Sequence, residues 1–170
     1  MKSEYLIISD THGKTERLLS LVRRCPGLCG LIFLGDGEAQ VTALAQAFPD
    51  LAVTAVRGNC DLFSDLPQTR LLTLRGHRLL VTHGHAYGVK MGLTRLAEAA
   101  AAQGAEAALF GHTHLPLEQR VFPTTDSAPV LLFNPGSLGL PRDGVPQFGR
   151  LAIDEQEMLF SHGTLPPGEG

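Results

Sequence analysis

The chain has 170 residues, 44% of them hydrophobic and 18% charged, the balance of one globular domain with room for a sizeable core. Against 17 Asp and Glu stand 14 Lys and Arg, a formal net charge of -3, and no basic cluster larger than Arg23-Arg24 argues for duplex binding. No apolar run is long enough to span a bilayer, and three cysteines, an odd number, imply no disulfide framework.

Glu4 to Ser9 reads as a buried strand that ends at Asp10 and the turn Thr11-His12-Gly13. The start, Met1 to Ile8, is too short for a signal peptide, so a cytoplasmic location without membrane association is expected. Lys14 to Arg24 carries Leu18, Leu19, Leu21 and Val22 at helical spacing. Leu28 to Leu34 is a second strand, ending in Gly35-Asp36-Gly37. Ala39 to Phe48 is a second helix closed by Pro49, and Leu51 to Val56 a third strand ending in Gly58-Asn59. This alternation marks an α/β layered fold. Thr69 to Leu74 and His77 to Thr82 form a hairpin around Arg75-Gly76, and the second run ends in His83-Gly84-His85. Val89 to Gln103 is an Ala-rich helix stopped by Gly104, and Ala105 to Phe110 a strand ending in Gly111-His112-Thr113-His114. Short strands around Glu118 to Phe122, Val130 to Phe133, Phe148 to Asp154 and Met158 to His162 suggest a second, mostly antiparallel sheet. One domain over residues 1–162 is expected, with a frayed Pro/Gly-rich tail over 163–170.

Five strands thus end in Gly-containing turns that carry Asp, Asn or His. Ligands of open α/β sheets bind beyond the carboxyl ends of strands, so these side chains converge if the strands run parallel. The set is Asp10, His12, Asp36, Asn59, His83, His112 and His114. Oxygen and imidazole donors of this kind suit Mn, Fe, Ni or Zn. Seven donors exceed the needs of one four-coordinate ion and suit two ions sharing a carboxylate, a clamp for phosphoryl displacement when the ions lie roughly 3.5–4 Å apart. The pairs Asp10/His12 and His112/His114 are each two residues apart, so an extended chain faces both side chains the same way. Read singly, each has a plainer use. Asp10 and Asp36 could cap helices, Asn59 could be a turn residue, and His83 and His85 could be loop histidines.

The strings Asp10-Thr11-His12, Gly35-Asp36, Gly58-Asn59, His83-Gly84 and Gly111-His112-Thr113-His114 resemble the calcineurin-like metallophosphoesterases over most of the chain. Arg57-Gly58-Asn59-Cys60-Asp61 and Asn134-Pro135-Gly136-Ser137 look like the small YfcE-type phosphodiesterase branch. That resemblance implies a four-layer α/β/β/α sandwich of two mixed sheets flanked by helices. It also implies two divalent ions, Mn favoured with Fe, Ni, Zn or Mg as alternatives. One ion is assigned to Asp10, His12, Asp36 and His114, and the other to Asp36, Asn59, His83 and His112. A hydroxide between them would attack phosphorus in line with the leaving group. The substrate would be a small phosphate ester, with diesters favoured over monoesters because few basic residues lie near the motifs. Small relatives often form homo-oligomers.

Other residues carry weaker expectations. Cys60 occupies the position where the larger superfamily often supplies a catalytic His, and His85, two residues after His83, is the alternative leaving-group acid. Asp61 reads either as an acceptor orienting a His or as a turn residue. Asn134 to Ser137 reads as a tight turn near the metal loops. Arg142 reads as an exposed loop residue, with a phosphate contact as the alternative. His77 and His162 are given no role. Cys25 and Cys29 lack the further partners a zinc site needs. A non-enzymatic scaffold, like the retromer subunit that resembles this branch, is the competing function class. A nuclease would need a basic surface or an added domain.

Overall fold

The computed structural model describes residues 1–166. The first sheet contains β1 (Ser3–Ile8), β2 (Gly30–Phe33), β3 (Val53–Ala55), β9 (Gln147–Ile153) and β10 (Met158–Thr164), in the order β10-β9-β1-β2-β3. The second contains β4 (Thr69–Leu74), β5 (His77–Thr82), β6 (Ala107–Leu109), β7 (Pro116–Val121) and β8 (Val130–Pro135), in the order β4-β5-β6-β8-β7. Helices α1 (Thr15–Arg23) and α2 (Glu38–Ala47) cover the first sheet, and α3 (Thr94–Ala102) covers the second.

Three cores separate the four layers, and strand alternation assigns each side chain to its layer. In β1, Leu6 and Ile8 pack under α1 and α2, while Ile7 faces the other sheet. In β5, Leu79 and Val81 meet Ile7 and Ile32 across the sandwich, while Leu80 packs under α3 with Leu96 and Ala100. Central strands buried on both faces read as continuous apolar runs, which is why β1, β2, β5 and β6 were legible from sequence.

The expected sandwich is present, with three adjustments. The second sheet is not mostly antiparallel: β5, β6 and β8 run parallel, and only the outer strands β4 and β7 are antiparallel to their neighbours. The last two strands belong to the first sheet, where β9 pairs antiparallel with β1. There Leu151 and Ile153 face the central core and Phe148 the outer one. The third helix starts at Thr94 rather than Val89, because a 3-10 turn over His85–Tyr87 and left-handed Gly88 come first. The expected tail boundary also moves: β10 runs to Thr164 and Leu165 is buried, whereas residues 167–170 lie outside the described residues. Among the described residues, no helix is long and apolar enough to cross a membrane.

Candidate metal centre

Within the first sheet β1, β2 and β3 are parallel, and within the second β5, β6 and β8 are parallel. The turns that leave them meet at one rim of the sandwich. Five of the seven predicted donors, Asp10, His12, Asp36, His112 and His114, have positive φ between 40° and 67°. A non-glycine residue held there costs on the order of 1–3 kcal/mol. Asp and His tolerate the region better than most residues. Glycine is required beside them. A Cβ on Gly58 would collide with the Asp36 carboxylate, and one on Gly111 with the Ser9 hydroxyl.

Asp10 is fully buried. Its Oδ2 accepts from the Ser9 hydroxyl at 2.6 Å and from the His112 backbone N–H at 3.1 Å. Its Oδ1 has no hydrogen-bond partner, nor has the buried Nε2 of His12, which stands 3.5 Å away. His114 presents Nε2 at 3.0 Å from the same Oδ1, out of line for a hydrogen bond, while its Nδ1 donates to the Leu140 carbonyl at 2.7 Å. His83 is held in the same manner. Its Nδ1 donates to the Leu34 carbonyl at 2.7 Å, and its Nε2 lies 3.1 Å from Asn59 Oδ1 and 3.3 Å from Asp36 Oδ2. A backbone carbonyl on one ring nitrogen fixes the tautomer and aims the other nitrogen's lone pair into the site.

Burial alone would raise the Asp10 carboxyl, but the imidazoles of His114 and His12, the charge on His83 and the Ser9 hydroxyl hold it well below its ordinary value. Asp36 is likewise lowered to about 2: burial opposes its charge, and His83 and the Cys60 groups outweigh burial. Both stay anionic wherever a metal would bind. Burial works against a charged His83, yet Asp36 and Asp10 raise it overall, and His114 is raised chiefly by Asp10. His112 moves the other way, to about 4, through burial and the nearby His83 and Lys90 charges.

These oxygens and ring nitrogens fit a divalent cation. An orphaned buried carboxylate oxygen facing an orphaned imidazole nitrogen is costly unless a positive ion lies between them. Donor atoms of Asp10, His12 and His114 lie within 4.8 Å of one another, as do those of Asp10, Asp36 and His83. A third trio, His12, Asp36 and Cys60, adds a sulfur that the reading of the donors as oxygen and nitrogen only had left out. His112 joins through its ring, whose centroid is 5.1 Å from that of His83.

Several expectations change at this rim. Neither Asp10 nor Asp36 caps a helix, since the N-cap positions of α1 and α2 are Lys14 and Gly37, with no side-chain cap. Asp61 orients no imidazole. It instead accepts four backbone N–H groups, from Asp36 (2.8 Å), Gly37 (2.9 Å), Glu38 (3.1 Å) and Gly58 (2.8 Å), which locks the Asp36 turn onto the Gly58 turn and starts α2. Asn134 lies at the end of β8 rather than in a free turn. Its amide donates to Gly111 O and Thr113 Oγ1, both at 3.0 Å, and so carries the His112–His114 turn. Ser137 donates to Asp10 O at 2.9 Å. His162, given no role from sequence, lies 2.7 Å from Asn134 O and stacks on Phe133, whereas His77 pairs with Glu106 far from the rim. Sequence reasoning missed Ser9 and the carbonyls of Leu34 and Leu140. A serine just before a buried aspartate was the one available signal.

His85 stands 5.5 Å from the His83 ring and 6.1 Å from that of His112, with its Nδ1 buried and unpartnered. Burial and the His83 charge lower its pKa. Cys60 is exposed, and its backbone N–H donates to Asp36 Oδ1 at 2.8 Å. Burial of the sulfur and the Asp36 carboxylate push its thiol up to about 11.

A rim of aspartates, imidazoles and one amide at the carboxyl ends of two stacked sheets defines a metal-binding hydrolase centre. The chain belongs to the calcineurin-like phosphoesterase superfamily, whose domain model matches residues 4–163. It is 35% identical over 137 residues to the probable metallophosphoesterase YsnB of Bacillus subtilis, covering 81% of this chain and 76% of that one. Among solved structures it is similar to a predicted phosphoesterase from Streptococcus pneumoniae, with TM-score 0.80 and 24% identity over 99% of this chain and 95% of the other. It is also similar to zinc-bound Vps29 from Entamoeba histolytica, with TM-score 0.75 and 22% identity over 97% and 94% of the two chains. The membership anticipated from the motifs therefore holds.

Proposed function

We propose that this chain hydrolyses small phosphodiesters with two divalent cations, Mn favoured and Fe, Ni, Zn or Mg as alternatives. The observation that carries this reading is the orphaned pair Asp10 Oδ1 and His12 Nε2 beside a carboxylate, Asp36, that shares one donor group with His12 and Cys60 and another with Asp10 and His83. Asp10, His12, Asp36 and His114 would hold one ion, and Asp36, Asn59, His83 and His112 the other. When bound, such ions supply a nucleophile by acidifying water and neutralise charge on the phosphoryl oxygens. The chain's own contribution is placement. Ser9, the Leu34 and Leu140 carbonyls and Asp61 fix the donors before substrate arrives, so little reorganisation remains for the reaction.

His85 is proposed as the leaving-group acid, with Cys60 the lesser contributor. His85 is half-buried beside His83 and His112, and with its Nδ1 buried the other ring nitrogen is the one left to meet a substrate atom. Burial and the His83 charge lower the pKa of His85, and an adjacent phosphate anion favours its protonated form. A protonated thiol is the weaker hydrogen-bond partner of the two. The three cysteines are unpaired, in keeping with the proposed cytoplasmic setting. The diester preference rests on resemblance to the small branch. The scarcity of basic residues invoked for it does not hold at the rim, where Lys90 acts on His112 and His114, and Arg57 on His85.

A hydrolysis panel of matched aryl diesters and monoesters, run with each metal, tests the reading. Diester turnover with the higher kcat/KM is expected. A much higher value for the monoester would overturn the diester preference, and no turnover with any metal would overturn the phosphoesterase reading. One observation favours a second reading as a protein-binding module. Leu62 and Phe63, just beyond Asn59, are 77% and 99% exposed.

A further inference from the structure

A groove of about 470 Å³ opens beside the turn that carries His112 and His114. Val89, Leu93, Phe110 and Leu117 give it apolar walls, and Thr113, the residue between the two histidines, lines it as well. Its remaining lining includes two exposed cations, Lys90 and Arg142. Neither forms an ion pair or side-chain hydrogen bond among the described residues, although the Lys90 charge reaches His112 and His114. The volume falls in the usual range for small-ligand sites.

Resting on the phosphoesterase reading above, we propose that this groove is the subsite for an apolar ester group of the substrate, with Lys90 and Arg142 flanking its phosphate. The occupant is therefore an amphiphilic anion, an aryl or short alkyl phosphate ester. Two properties select it. The groove shares Thr113 with the metal-ligand turn, and the Lys90 charge at its edge acts on His112 and His114, so the groove adjoins the donor rim. The unpaired cations complement a phosphate and not a neutral hydrocarbon, while the leucines and Phe110 complement hydrocarbon and not a sugar. The alternative contact weighed for Arg142, a phosphate, is the one this arrangement selects.

The test compares methylphosphonate with phenylphosphonate binding to the metal-loaded protein by calorimetry. These probes share the anion and are not hydrolysed. Phenylphosphonate should bind at least about tenfold tighter, the scale at which apolar pockets discriminate added carbons. Leu93→Asn and Leu117→Gln should each erase most of that preference. Leu93 is the residue preceding the first turn of α3, where Asn is a favoured cap, so the first variant should fold. Lys90→Gln and Arg142→Gln should instead weaken both phosphonates alike, several-fold. Equal affinity for the two probes, no binding of either, or a preference that survives both leucine variants would overturn the subsite. If the preference is present but no ester is cleaved with any metal, the catalytic reading fails and the subsite stands. If methyl 4-nitrophenyl phosphate is cleaved yet the probes bind equally, the reverse holds.

Discussion

The two halves of the donor rim are built differently. Around Asp10, His12 and His114 the centre is closed at its carboxylate: Asp10 is fully buried, one of its oxygens is saturated by Ser9 and His112 N–H, and the other is left bare, while His12 and His114 are half-buried. Around Asn59, His83 and His112 it is open at the Asn59 edge, although His83 is fully buried. Asn59 is exposed, its neighbour Cys60 is exposed, and the apolar groove begins beyond Thr113. The difference separates two tasks. In the proposed two-ion site, a closed half with a preset lone pair would hold an ion tightly, whereas an open half would leave room for a substrate oxygen to become a ligand. Asp36 would be the carboxylate the two ions share.

Removing that joint is the most severe way to break the comparison. Asp36→Ala should lose both ions and lower kcat/KM on the order of a thousandfold or more, at the upper end for preorganised electrostatic groups. Metal content by elemental analysis, read beside diester hydrolysis, checks it. Retention of one full equivalent would mean the halves do not share this carboxylate. The comparison is sharpened by a pair of variants: Asp10→Asn should cost the protein its tighter ion, while Asn59→Ala should cost only the weaker one.

The open half should respond next. His85→Ala is expected to slow hydrolysis of a diester with a poor alkoxide leaving group about a hundredfold, within the range of general-acid catalysis, and to spare a good leaving group such as 4-nitrophenolate. Cys60→Ala should change both rates little. Metal content must stay constant in both variants. Equal losses on the two substrates, or a larger selective loss for Cys60→Ala, would remove His85 from the acid role.

Much of this rim was legible in the sequence because its donors need unusual backbone. Asp, Asn or His beside Gly at successive strand ends is what left-handed turns and small donors jointly require, and Asp10, Asp36 and His112 show it. The central strands were legible because burial on both faces leaves unbroken apolar runs. What stayed hidden was non-local. The pairing of β9 with β1 joins residues separated by most of the chain, and nothing local in Phe148–Asp154 names its partner. The carbonyls of Leu34 and Leu140 orient His83 and His114 through backbone atoms that every residue possesses. Asp61 was sought as a partner for imidazole, but its four acceptor contacts are to backbone N–H groups that a turn exposes only once folded.

That binding of Asp61 to two turns supplies a prediction of intermediate size. Asp61→Ala leaves four N–H groups without their acceptor, partly buried where the Asp36 and Gly58 turns meet. A loss of about 2–3 kcal/mol is expected, since lost hydrogen bonds to a charged group cost that much and water recovers only part. For a chain of this length that corresponds to a fall in Tm of roughly 4–12 °C. Metal affinity should drop along with it, through the freed Asp36 turn. An unchanged Tm by calorimetry would show that the turns are held by something else.

The smallest effect should come from Ser9, and it isolates the closed half. The Ser9 hydroxyl donates to Asp10 Oδ2 at 2.6 Å inside a fully buried pocket that excludes water from replacing it. Ser9→Ala removes that donor and adds no bulk, so Gly111 keeps its close approach. The carboxylate then depends on His112 N–H alone to keep Oδ2 turned away and Oδ1 turned toward His12 and His114. Its rotation becomes freer, and the aligned lone pair is occupied for less of the time. Outer partners of metal ligands usually govern affinity by 10–100-fold, and a residue with one surviving co-donor belongs at about the tenfold end. The loss should fall mainly on the ion Asp10 is proposed to hold, because the hydrogen bond of the Ser9 hydroxyl goes to Asp10. Competition titration against a chelator should therefore show the tighter site weakened about tenfold and the weaker site unmoved. Equal weakening at both sites would mean that the halves are mechanically coupled and that the closed half is not an independent ion holder.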